Sequence, residues 1–75
     1  PPPSAYKRVN YEFNRSRYSI FELQDAPVLF DKLYYSTYEI SDSLRNYLLE
    51  SPFTNPKRVL GKPVFQELVR QEIII

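Results

Sequence analysis

The chain contains no cysteine, histidine, methionine or tryptophan, and a single glycine. Each absence closes a route. Without cysteine there is no disulfide and no thiolate metal site. Without histidine the commonest metal ligand and the usual acid/base group at neutral pH are both missing. Gly61 stands alone in "VLGKP", without the upstream glycines and Ser/Thr of a phosphate-binding loop. No apolar run approaches the ~18 residues needed to span a bilayer, and no signal-peptide pattern opens the chain. A water-soluble chain is expected.

Catalysis has little left to use. Glu39 and Asp42, or Asp25 and Asp31, form the nearest thing to a carboxylate pair, and a solvated pair near a helix start fits them better. No loop offers several oxygens at cation-binding spacing. No catalytic residue, no metal and no cofactor is expected.

What remains is a chain of 75 residues with seven tyrosines and five phenylalanines. A domain this small buries only about 60% of its unfolded surface and is marginal alone. Net charge is +1, but its distribution is uneven. Lys7, Arg8, Arg15 and Arg17 dominate the first segment, and Lys57, Arg58, Lys62 and Arg70 the last. Acids gather between residues 22 and 50. Basic arms lying against an acidic middle would account for this.

Residues 1–5 read as an extended proline-rich lead, and 6–75 as one small domain or a partner-dependent fragment. "RVNYEFN" alternates, with Val9, Tyr11 and Phe13 on one face, as a half-buried strand does. "RYSIFEL" is rich in strand-forming residues and could return as the second strand of a hairpin. Its alternation breaks at Ile20-Phe21, which admits a bulge or burial on both faces. Asp25-Ala26-Pro27 suits a helix start. No Gly or Pro follows until Pro52, and Phe30, Leu33, Thr37, Ile40, Leu44 and Tyr47 step by three and four. This predicts a helix over about 27–50, or two in sequence with a capping box at Ser36 and Glu39. Pro63 opens a short second helix with Phe65, Leu68 and Val69 inward, and Ile73-Ile74-Ile75 is strand-like. The expected fold is α+β: an N-terminal hairpin on a central amphipathic helix, a short second helix and a strand-like tail.

Two surfaces follow. Leu29, Tyr34, Tyr35 and Tyr38 would form a second apolar helix face, and tyrosine suits interfaces. Three isoleucines at a solvated end would each leave about 1.5–3 kcal/mol of burial unrealised. Leu29, Tyr34, Tyr35, Tyr38, Ile73, Ile74 and Ile75 are therefore the expected docking residues. The partner would be a larger protein or a continuation of the same chain, and the sequence reads as a processed or partial one. The alternative is RNA or single-stranded nucleic acid. Tyr11, Phe13 and Tyr18 would stack on bases, with Lys7, Arg8, Arg15, Arg17, Lys57 and Arg58 against phosphates.

Overall fold

A computed structural model describes residues 8–75. Lys7 and the proline-rich lead lie outside the described residues. The elements run β1 (Asn10–Tyr11), β2 (Tyr18–Leu23), β3 (Ala26–Asp31), β4 (Ser36–Glu39), α1 (Asp42–Leu49), β5 (Phe53–Thr54), α2 (Pro56–Leu60) and α3 (Lys62–Arg70). The fold is α+β, as expected, but its parts are arranged differently.

The first part of the expected central helix is sheet, and its second part, Asp42–Leu49, is helix. β2, β3 and β4 form an antiparallel meander, with Ile20, Leu29 and Tyr38 in one register row and Ser19, Phe30 and Thr37 in the next. Over Phe30, Leu33 and Thr37 the three-and-four spacing was coincidental. β-branched and aromatic side chains, which pack well on a pleated surface, decide this segment. Its turns are made without glycine. Gln24 and Asp25 both take positive φ (54° and 65°) between the paired Leu23 and Ala26, as a two-residue hairpin turn requires. Asp31 closes the second turn through its Oδ1, which accepts the Leu33 N–H at 2.9 Å, and Tyr35 adopts φ 56° before β4 begins.

Pro27 sits in the central strand, where proline is rare. Its carbonyl accepts the Ile40 N–H, so its nitrogen also points toward the β4 side, past the end of β4. No rung to β2 is lost.

The helix that does form is α1. Ser41, not Ser36, caps it, its hydroxyl accepting the Leu44 N–H at 3.1 Å. Gly61 takes φ 88° between α2 and α3, a backbone state that side chains disfavour. In α3 Leu68 is buried and Phe65 half-buried, while Val69 faces solvent.

The first strand does not pair with β2. β1 pairs with β5, Asn10 opposite Thr54 and Tyr11 opposite Phe53. The other edge of residues 12–14 takes the tail. Glu12 and Ile75 exchange both backbone hydrogen bonds (2.7 and 2.8 Å), Asn14 N–H donates to Ile73 O at 2.9 Å, and Phe13 bridges Ile74. Residues 9–14 are thus a middle strand between two segments distant in sequence. The strand-like tail is real, and the chain itself covers it. Phe13, Leu48, Phe53 and Leu68 join Ile73 and Ile74 in the core, and Tyr18 and Leu29 extend that core to the meander. Among the described residues no helix is long and apolar enough to cross a membrane.

Candidate functional site

The meander has two faces. Register places Tyr18, Ile20, Leu29, Asp31 and Tyr38 on the inner one. Tyr18, Leu29 and Tyr38 line an apolar groove of about 210 Å³ with Ile40, Leu44 and Ile73, its lip carrying Glu67 and Gln71. Tyr18 is anchored at its far end, where its hydroxyl donates to Gln71 O at 2.6 Å. Burial pushes its phenol above the usual range.

The outer face carries Ser19, Phe21 and Leu23 from β2, Val28 and Phe30 from β3, and Thr37 and Glu39 from β4. Phe21 and Phe30 lie 6.3 Å apart between ring centroids, and Phe30 and Tyr35 are also 6.3 Å apart. These three rings form a continuous row. Phe21 is 40% exposed, Leu23 52% and Tyr35 81%.

The expected docking residues separate. Leu29, Ile73 and Ile74 are core, and Ile74 is 1% exposed. Backbone pairing with residues 12–14 and packing on Leu68 and Phe13 occupy the tail, so Ile73 and Ile74 present no surface; Ile75 alone stays exposed. Tyr34, Tyr35 and Tyr38 are exposed but share no helix, because none exists there. Tyr35 joins the outer row, Tyr38 borders the inner groove, and Tyr34 lies under the Arg17 guanidinium at 5.4 Å.

The signal for the outer row was legible in part. The break in alternation at Ile20-Phe21 marks a strand with apolar residues on both faces: Ile20 goes inward and Phe21 outward. Phe30 was missed because the helical seam assigned it to the core.

The bases also disperse. Arg17 makes a bidentate pair with the buried Asp31 (3.1 and 3.0 Å) and reaches Glu72 at 3.1 Å. That contact holds the Asp31 carboxyl below its ordinary range and the Arg17 guanidinium above its own, so Arg17 is spent inside the fold. Arg15 lies against the Phe13 ring at 5.7 Å. Arg8 stacks over Tyr11 at 4.3 Å and, with Lys57, lines a cleft of about 290 Å³ beside Phe65. Arg58 is exposed on α2. Phe13 and Tyr18 are buried, so the stacking platform expected of Tyr11, Phe13 and Tyr18 is reduced to Tyr11, which meets Phe65 edge-on at 5.3 Å.

The remaining titratable groups have local causes. Arg70 and Gln71 hold Glu67 below the carboxylate range, and burial raises Tyr47. Among the described residues no three acids converge as a metal site would require. No family model, no curated protein and no solved structure matches this chain.

Proposed function

We propose that the chain is a non-catalytic docking unit, which packs against protein through the outer face of the β2–β3–β4 meander. The observation that carries this reading is the row Phe21–Phe30–Tyr35. It is a contiguous aromatic strip on a sheet face where Phe21, Leu23 and Tyr35 are exposed and Phe30 is half-buried, while Val28 beneath them is buried. Aromatic side chains supply large contact area at low entropic cost and are enriched at the centres of interfaces. Tyr35 ends the β3–β4 turn with 81% of its surface exposed.

The test is co-purification of the tagged full chain from its native setting, beside a Phe21→Ser/Tyr35→Ser variant and an Arg8→Glu/Lys57→Glu variant. A defined protein retained by the parent and the charge variant, and lost by the aromatic variant, is expected. Retention by the aromatic variant would refute the assignment.

A second reading keeps one specific support. Arg8 and Lys57 converge on the cleft beside Tyr11, which would suit a single-stranded nucleic acid. It requires an affinity that falls steeply with salt and collapses in the Arg8→Glu/Lys57→Glu variant.

A further inference from the structure

We infer that the occupant of the outer face is a second copy of this chain, packed sheet on sheet about a two-fold axis; this rests on the docking reading above. The order of side chains along the face supports a self-complementary pairing. Outward residues of β3 run Ala26, Val28 and Phe30. Lys32 extends the row, since its N–H still donates to Arg17 O at 2.7 Å in continuation of the β2–β3 ladder. On β4, Glu39 stands beside Val28, at the opposite end from Lys32. The strip is therefore basic at one end, aromatic in the middle and acidic at the other.

Such a strip complements itself. A two-fold axis in the interface plane and perpendicular to the strands reverses strand direction, bringing the basic end of each copy over the acidic end of the other. The alternative axis, parallel to the strands, would stack like charges and is disfavoured. Val28 and Lys32 are separated by about 14 Å at ~3.4 Å per residue, with Phe30 midway. The axis then passes near Phe30 and its register partner Thr37. Packed sheets lie about 10 Å apart, which a lysine and a glutamate reaching toward each other can bridge. Two symmetric Lys32–Glu39 pairs would flank a cluster of Phe21, Phe30 and Tyr35 from both copies. Neither charge has a counter-ion: the Lys32 ammonium donates to the Arg15 carbonyl at 2.9 Å, and neither Lys32 nor Glu39 forms an ion pair among the described residues. The strip measures roughly 20 by 15 Å, well below the standard interface size, so a weak, concentration-dependent association is expected.

Sedimentation equilibrium of the full chain from about 10 μM to about 1 mM reads the association directly. Lys32→Glu and Glu39→Lys should each weaken the dimer at least about tenfold by setting like charges opposite. The exchanged double variant K32E/E39K should restore it to near the parent value, with circular dichroism confirming that every variant is folded. Because the chain has no cysteine, Thr37→Cys is a clean second probe. It should form a disulfide-linked dimer on mild oxidation, and Ser43→Cys on α1 should not. A chain that stays monomeric throughout, a charge exchange without rescue, or equal cross-linking at both positions overturns the dimer. The docking reading outlives that result if Phe21→Ser/Tyr35→Ser still loses its co-purifying protein, and falls with it if not.

Discussion

The meander and the terminal closure are built on opposite plans. Residues 18–40 pair only with near neighbours in sequence, through two tight turns. The closure joins residues 9–14, 51–55 and 73–75, so its contacts span most of the chain. Local contacts form early and cheaply, whereas distant ones must first overcome loop-closure entropy. The closure therefore depends on burial to repay that cost, and Ile73 and Ile74 provide it. The meander, being self-sufficient in backbone pairing, can leave part of one face exposed. The two halves meet at Tyr18 and Arg17, which hold Gln71 and Glu72 from the sheet side.

The comparison is broken most directly at Ile74. Ile74→Ala removes a fully buried side chain from the closure and should cost about 2–5 kcal/mol in a urea titration. Hydrogen exchange should then show the amides of Glu12, Asn14 and Ile75 opening first, while those of β3 remain protected longer. Equal loss across both halves would mean that they are one cooperative unit.

Next in size is the joint between them. Asp31 is buried, and its carboxylate serves Arg17 and the turn at Leu33 together. Its acidity is raised chiefly by Arg17, so its folded pKa lies below the unfolded value. A carboxylate of this kind stabilises the fold at pH above its unfolded pKa, about 4, and that contribution is lost as pH falls through the folded value. Asp31→Asn keeps an acceptor for the turn but removes the charge. It should lower stability at pH 7 and flatten the decline in melting temperature below about pH 4. An unchanged acid limb would show that other carboxylates control it.

The two halves also differed in how far the sequence revealed them, and not in the order that contact distance would suggest. The distant half was partly legible. Alternation at Val9, Tyr11 and Phe13 identified a strand, and the isoleucine tail announced that it needed cover. Only the pairing partners were wrong, because pairing across more than 40 residues leaves no mark in local pattern. In the local half β2 was read as a strand, but β3 and β4 were misread as a helix. Hairpins are recognised by glycine or asparagine at their turns, and here Gln24, Asp25 and Tyr35 occupy the positive-φ positions instead. Without those breaks, an apolar spacing compatible with a helix went unopposed. The candidate face was hidden by the same error, since a helix over 27–50 sends Phe30 inward and never places it beside Phe21.

Tyr35 sharpens the contrast further. If its left-handed backbone is tolerated for the sake of the exposed ring, Tyr35→Gly should stabilise the isolated chain by about 1 kcal/mol net of glycine's entropy cost. The same change should weaken association, because the row loses its third ring. A variant less stable than the parent would mean that the Tyr35–Phe30 contact outweighs the backbone strain.

The smallest effect concerns α1, which lies between the meander and β5 in the chain. Two serines compete on paper as its cap. Ser36 with Glu39 has the better capping-box spacing, yet Ser36 is paired with Asp31 in the sheet. Ser41 bonds Leu44 N–H and adopts the extended backbone of a cap, with φ −73° and ψ 158°. Ser41→Ala should therefore cost about 1 kcal/mol, and Ser36→Ala, at a half-buried strand position, much less. Because α1 supplies the fully buried Leu48 to the core, the Ser41 loss should appear in the global denaturation midpoint and not only in local helix fraying. Equal effects at the two serines would argue that the helix begins earlier than Asp42 and that β4 is shorter than its register implies.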